Sequence, residues 1–294
     1  LHGERTAFFG FFESFNDTEV STGLFQAVFD WAHSRGMQRL LGPVNPSLNE
    51  ECGLLVDGFD SSPVIMMPYN PRYYMDLITH AGFVKAKDLF AFHRDISGSS
   101  IERLDRIVDV FRRRQKDITI RPLRRAALEH DLQKIRNVYN TAWELNWGFV
   151  PMSDAEIDFM AARLKPLLFE GIVWLAEINE EPIGFLLALP DFNEPLKPLR
   201  GRLLTPRLLG FLPYAFGWKR PKMARVLVLG VKAQYRNRGI ESVMLAEALR
   251  AGYAAGFQAC EASWTLEDNV AVNRLVEGLG GRVYKTYRIY ERPL

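Results

Sequence analysis

Apolar residues recur along this chain in two spacings that alternate. Runs of strand length, each broken at most by one residue, occupy Ala7 to Phe12, Ile172 to Ile178, Ile183 to Leu189 and Val226 to Val231. Between them lie one-faced helical patterns. The first has a cap at Asn16-Asp17-Thr18, apolar positions at Val20, Leu24, Ala27, Val28 and Trp31, and a stop at Gly36. A short strand at Leu40-Leu41, a Pro-Tyr-Asn-Pro turn at 68–71, a helix to His80 and two strands up to Arg94 follow. Ser97-Gly98-Ser99-Ser100 is the clearest linker, opening a helix with Ile101, Leu104, Val108 and Phe111 on one face. A second unit starts at Ile118, with a helix through Leu128, Leu132, Ile135, Tyr139 and Ala142 and a hairpin around Asn179 to Pro182. After Val231 a further helix carries Ile240, Val243, Met244, Ala248 and Ala251. A strand from Gln258 to Trp264, a helix from Asn269 and two closing strands complete the chain.

The order of elements repeats. Shifted by about 220 positions, Gly10 falls on Gly230, Val20 on Ile240, and Gly36-Met37-Gln38 on Gly256-Phe257-Gln258. After an insertion in the first copy, Gly82 falls on Gly280, Lys87 on Lys285, Phe92 on Tyr290 and Arg94 on Arg292. This predicts an α/β (α+β) fold with tandem mixed β-sheets flanked by helices. The expected boundaries are residues 1–97 for a degenerate first copy, 98–117 for a linker helix and 118–294 for the second copy. The chain begins at Leu1 and enters its first strand near Thr6, so the first copy is expected to be truncated at its N-terminus. Asp191 to Arg225 is a long, proline-containing, basic connection with apolar stretches such as Leu208-Leu209-Gly210-Phe211-Leu212. It reads as a lid, a binding loop or a simple covering loop.

Composition narrows the function. With 294 residues, 48% hydrophobic and 24% charged, the chain can bury a sizeable core. A net charge of +2 argues against nucleic acid, and Arg112-Arg113-Arg114 reads as a solvated helix end. Cys52 and Cys260 lie far apart with no His or Cys at ligand spacing. No metal is expected, and a reducing cytoplasm fits best. No run reaches membrane-spanning length and no signal peptide is visible.

The stretch that carries chemistry is Arg236-Asn237-Arg238-Gly239, set between the Val226 strand and the helix from Ile240. Helix-start N–H groups, a glycine permitting close approach and two arginines form an anion cradle. The first copy has Asn16, Asp17, Thr18 and Glu19 at this position, an acidic turn without glycine that would repel phosphate. The second copy is similar to the GNAT N-acetyltransferase superfamily, whose pyrophosphate motif Q/R-x-x-G-x-G/A reads Arg236-Asn237-Arg238-Gly239-Ile240-Glu241 here. Its later helix starts at Asn269 and ends Val276-Glu277-Gly278-Leu279-Gly280-Gly281. Two positions depart from the family pattern: Glu241 replaces a small residue, and Val276 stands where many members place the tyrosine that protonates the leaving thiolate.

The resemblance implies acyl transfer from acetyl-CoA, or another acyl-CoA, to a small-molecule amine. Leu229, Gly230, Val231, residues Arg236 to Glu241 (Arg236, Asn237, Arg238, Gly239, Ile240 and Glu241) and Asn269 would hold the cofactor. A bulge at Gly230 would splay the strand, and the Val231 N–H would polarise the thioester carbonyl. Glu261 is the candidate base, and Tyr284 and Tyr287 are candidate acids, with exposed or packed strand residues as the plainer alternatives. Trp143, Glu144, Asn146, Trp147 and Phe149 would line the acceptor cleft or plug the interface between copies. Asn45, Asn49, Glu50 and Tyr69-Asn70 form a second candidate wall. The competing reading is a catalytically silent module of this fold that binds CoA or a partner protein.

Overall fold

The computed structural model describes residues 5–144 and 146–294. The first copy contains β1 (Thr6–Phe8), α1 (Thr18–Ser34), β2 (Arg39–Gly42), the short pair β3 (Val44–Asn45) and β4 (Glu51–Cys52), β5 (Leu54–Asp57), α2 (Tyr74–His80) and β6 (Val84–Asp95). After α3 (Gly98–Arg114) come β7 (Thr119–Pro122), α4 (Leu128–Trp143), α5 (Asp154–Leu164), β8 (Val173–Ile178) and β9 (Glu181–Pro190). The long connection contributes α6 (Asn193–Leu196) and α7 (Leu208–Ala215). β10 (Met223–Val231), α8 (Ile240–Ala254), β11 (Ala259–Leu266), α9 (Val270–Gly278) and β12 (Arg282–Pro293) complete the chain.

One sheet runs through both copies in the order β1-β2-β12-β6-β11-β10-β9-β8-β7, with β5 also pairing with β12. The copies have exchanged strands: β6 of the first lies against β11, and β12 of the second lies against β2. Both junctions use the same register. Leu40 pairs with Arg292 and Gly42 with Tyr290; Cys260 pairs with Arg94 and Ala262 with Phe92. These are equivalent residues under the sequence repeat. The approximate two-fold centre falls at the Leu89–Tyr287 pair, where both residues are fully buried.

Three expectations are corrected here. The strands to Arg94 and the two closing strands are single long strands, β6 and β12, which bend at register shifts instead of turning. The first apolar run forms only a three-residue strand, which among the described residues pairs with β2 alone, and Phe8 and Phe11 are exposed. Its register against β2 is three residues out of step with that of β10 against β11, so Gly10 and Gly230 are not equivalent in pairing.

Helices cover both faces of the second half. α3 and α8 bury Leu104, Val108, Phe111, Ile240 and Met244 on one face. α4 and α5 bury Val138, Ala142 and Leu164 against Phe185 and Leu187 of β9 on the other. β9 is buried on both faces, which explains its unbroken apolar sequence. Asn179 and Glu180, both with positive φ, make the two-residue turn into it.

The position of α4 is fixed by a network of ion pairs. Arg121 of β7 forks onto Asp131 of α4 at 2.7 and 2.9 Å and onto Glu177 of β8 at 2.8 and 2.9 Å. Lys134 adds a 2.7 Å bond to Glu177. Burial pushes the Asp131 carboxyl up, but its bonds from Arg121 and Arg124 outweigh this and hold it at about 2. The depressed value means the carboxylate stabilises the fold above the ordinary Asp range and loses that contribution as pH falls toward 2. Arg121→Leu removes the shared partner of two buried carboxylates, leaving Asp131 to Arg124 and Glu177 to Lys134, and is expected to cost about 3 kcal/mol in denaturant unfolding at neutral pH. Adding Asp131→Asn and Glu177→Gln should restore part of the loss; an unchanged midpoint for the single variant would refute the assignment.

Candidate active site

β10 and β11 run parallel and pair from Met223/Ala259 to Val226/Ala262, and there the pairing ends. The cause is a bulge between Val226 and Val228 that takes up Leu227, not a bulge at Gly230. Gly230 has a different reason. A Cβ there would meet the Trp143 indole at 2.2 Å, so glycine is what lets the end of α4 lie directly on β10. Beyond the bulge β10 stays bonded to β9, and the Lys232 N–H donates to the Ile183 carbonyl at 2.8 Å. By strand alternation, the Leu229 and Val231 N–H groups point away from β9, toward the gap left by β11. A cavity of about 200 Å³ fills this gap. Its walls come from residues 226–229, residues 262–266, Tyr139, Trp143, Trp147 and, from the first copy, Leu48, Asn49, Glu50 and Met66. A smaller, almost wholly apolar pocket of about 70 Å³ between α4 and α5 shares Tyr139, Met160, Leu164 and Leu187 with it.

The loop into α8 presents backbone. Asn237 and Gly239 both have positive φ, and the Gly239 N-cap places no side chain on the first helical amides. In the first copy the Asp17 carboxylate caps α1, accepting from the Glu19 N–H at 2.8 Å and the Val20 N–H at 3.2 Å. One helix start is therefore capped by its N-cap carboxylate, while the other has no N-cap side chain and carries only Glu241 on its own N–H. The arginines are engaged within the protein. Arg236 donates to the carbonyls of Ala142 at 2.6 Å and Val231 at 3.2 Å, tying α4 to the end of β10. Arg238 bonds Gln115 and pairs with Asp117 at 2.9 Å. Glu241 is half-buried. Burial raises its pKa, while a bond from its own N–H and the Arg236 charge oppose that, so its side chain rests on the helix start. Asn269 caps α9, accepting from Val272 N–H at 3.4 Å, and also lines the cavity.

Of the aromatic stretch, Trp143, Asn146, Trp147 and Phe149 line the cavity; Glu144 is exposed outside it and Leu145 lies outside the described residues. Trp147 also packs on the core of the first copy and under the Lys87 ammonium, so it forms both wall and interface. Tyr139 donates to Asn49 Oδ1 at 3.2 Å, and Asn49 donates to the Val150 carbonyl at 2.8 Å. Burial, and then the nearby Glu50 charge, push the Tyr139 phenol up to about 12. Glu50 is the one carboxylate among the described residues lining the cavity; Arg163 stands 3.9 Å from it.

Glu261, Tyr284 and Tyr287 are not brought into the cavity. Glu261 is fully buried and accepts from the Tyr284 hydroxyl and from Ser263 Oγ. It is bonded to the cavity wall through Ser263, whose Oγ also accepts from Arg225 Nε at 2.9 Å. The Tyr287 hydroxyl is buried with no hydrogen-bond partner among the described residues. Burial raises both phenols, with Glu261 adding to the effect. Val276 presents an apolar wall where the family tyrosine would stand. Arg225, which sequence reasoning missed, is buried and donates to the carbonyls of Ile65 and Met66 at 2.7 and 2.8 Å, fixing the first-copy loop at the cavity. An arginine inside an apolar run was the available signal.

Residues 132–280 match the family model described as the acetyltransferase (GNAT) family. Over 305 residues the chain is 34% identical to the bacterial ceramide synthase of Caulobacter vibrioides, covering 99% of this chain and 76% of that protein. It is 33% identical to Protein YghO of Escherichia coli over 309 residues, covering 100% and 75%. The crystal structure of a GCN5-related N-acetyltransferase from Sphaerobacter thermophilus superposes with a TM-score of 0.54 at 13% identity, covering 93% of this chain and 68% of that one. With an open helix start beside a parted strand pair, and this match over half its length, the chain belongs to the GNAT acyltransferase family, its second copy preceded by a degenerate first.

Proposed function

We propose that the protein transfers a long acyl chain from acyl-CoA to the primary amine of a lipid-like amino alcohol, forming an amide. The observation that carries this reading is the apolar cavity at the β10–β11 gap, with Glu50 as its carboxylate and a further apolar pocket adjoining. An acetyl group needs little of that space. The relative named bacterial ceramide synthase supports the same class of product, an N-acylated long-chain amino alcohol. Acetyl-CoA and a small polar amine, which the family resemblance alone implies, fit these walls less well.

In this reading the amides of residues 237–240 hold the pyrophosphate at the positive end of α8, beside the Glu241 N–H that its own carboxylate now accepts from. The Leu229 and Val231 N–H groups face the thioester carbonyl and stabilise charge developing on its oxygen. Glu50 attracts the acceptor ammonium and takes its proton, directly or through one water, freeing the nitrogen lone pair. The C–N bond then forms, the C–S bond breaks, and the proton that the nitrogen sheds on becoming an amide is the one the departing CoA thiolate takes up. With Val276 apolar, the hydroxyl groups of this wall are Tyr139, Ser263 and Thr265.

Release of CoA, followed across acyl-CoA chain lengths and an amine panel, tests the reading. Long-chain donor with long-chain amino alcohol should exceed acetyl-CoA with a small polar amine by at least about tenfold in kcat/KM. The reverse preference would overturn it. Binding of acyl-CoA without turnover would instead establish the silent module, which Val276 and Glu241 favour. Glu50→Gln should lower kcat/KM by about 10²-fold with CoA affinity unchanged.

Glu241 allows a separate measurement. Its charge gains roughly 0.3–1 kcal/mol at the helix start. Near a bound pyrophosphate it meets roughly 1–3 kcal/mol of repulsion per phosphate charge at about 6 Å. Glu241→Gly should therefore tighten CoA binding severalfold, with one CoA bound per chain because Asp17 closes the other helix start. Calorimetry showing weaker binding would make Glu241 a cofactor contact instead.

A further inference from the structure

The connection from Asp191 to Lys222 contains more apolar surface than a covering loop needs. Leu203, Leu204, Leu209, Phe216 and Trp218 are exposed by 65, 98, 69, 64 and 78%. Helix α7, Leu-Leu-Gly-Phe-Leu-Pro-Tyr-Ala, has no buried residue. Charge is concentrated in the same segment. It carries seven cations, Lys197, Arg200, Arg202, Arg207, Lys219, Arg220 and Lys222, all exposed, against Asp191 and Glu194, a net of +5. The whole chain is +2, so the remainder is −3. Exposed leucines, an aromatic pair stacked at 5.3 Å and clustered cations are the composition of a surface that enters the boundary of a bilayer.

We propose that residues 199–220 dock the protein on an anionic membrane surface, with Leu203, Leu204, Leu209, Phe216 and Trp218 entering the acyl boundary and the cations facing lipid phosphates. Among the described residues no helix is long and apolar enough to cross a membrane, so the contact is peripheral. Charge selects the occupant: a second copy would bring two patches of +5 together, whereas anionic headgroups complement them. The segment is also rooted beside the cavity. Asp191 Oδ1 accepts from the Ile65 N–H at 2.8 Å, Asn193 donates to the Pro63 carbonyl at 3.1 Å, and Lys197 bonds Ser62 Oγ at 2.7 Å. That loop continues to Met66, which lines the cavity. Docking stands on the patch itself; its use in passing lipid substrates from bilayer to cavity rests on the acyltransferase reading.

Sedimentation of the whole chain with phosphatidylcholine vesicles, with and without about one-third phosphatidylglycerol, is the test. Binding is expected to the anionic vesicles and to weaken at ~0.5 M salt. Leu204→Ser with Trp218→Ser, and separately Arg200→Glu with Arg202→Glu and Lys219→Glu, should each reduce the bound fraction by about tenfold or more. Both sets lie on exposed side chains, so melting temperature and calorimetric CoA affinity should match the wild type. Wild-type protein that stays in the supernatant, or variants that sediment equally, would overturn the proposal. So would association between copies, seen by analytical ultracentrifugation and lost in the same variants, without vesicle binding. Because vesicle binding is read without turnover, failure of docking and failure of the acyltransferase reading are told apart.

Discussion

The site depends on the parting of two parallel strands. Up to Val226 and Ala262 β10 is held by β11 in an ordinary parallel pair; one extra residue, Leu227, then ends the pairing while β9 keeps its grip on β10. The strand thus keeps a satisfied edge toward β9 and offers Leu229 and Val231 as free donors in a gap lined by side chains. Such a gap would collapse unless something held its sides. α4 does so on one side, its indole Trp143 resting on Gly230 and its Ala142 carbonyl tied by Arg236 to the end of β10. On the other side Arg225 gathers the carbonyls of Ile65 and Met66 and the hydroxyl of Ser263.

The second support is the exchange of β6 and β12. Because each copy completes the other's sheet, the first copy stands beside the β10–β11 gap instead of hanging from a linker. This is how Asn49 and Glu50, some ninety residues from Tyr139 in sequence, reach the same cavity. The first copy, whose α1 start is capped by Asp17, has the same register at its junction, Leu40 on Arg292 answering Cys260 on Arg94. Asp17 satisfies the first amides of α1 from within the chain.

Much of this was legible in the chain. The repeat, the helix starts at Asp17 and Gly239, and the acidic and basic contrast between them follow from local spacing and capping chemistry. The misreadings were those that depend on a partner from elsewhere. Gly230 looked like a bulge because the indole that demands it comes from another helix. Glu261 looked available because a strand sequence does not show that Tyr284, two strands away, will cover it. The Arg236 guanidinium is held by the carbonyls at 142 and 231, a tie that the loop sequence alone does not show. Glu50 was placed on a wall but not in a chemical role, since its isolation as the cavity's carboxylate emerges only when both copies close around it.

The long connection unites these observations. A transferase acting on polar amines in water would gain nothing from Leu204 and Trp218 in solvent, and such exposure invites aggregation. A transferase whose acyl chain and acceptor both reside in a bilayer faces the opposite problem, because extracting either lipid into water is costly in proportion to the apolar area exposed. A patch that is apolar and cationic at once, fastened through Asp191, Asn193 and Lys197 to the loop carrying Met66, shortens that passage. The net charge of the rest of the chain is negative, so an anionic surface would orient the molecule with this patch toward the lipid. Under the proposed docking, the basic connection that reads as a lid or covering loop in the sequence would be the face turned to the lipid, bonded at its root to the loop that carries Met66 to the cavity wall.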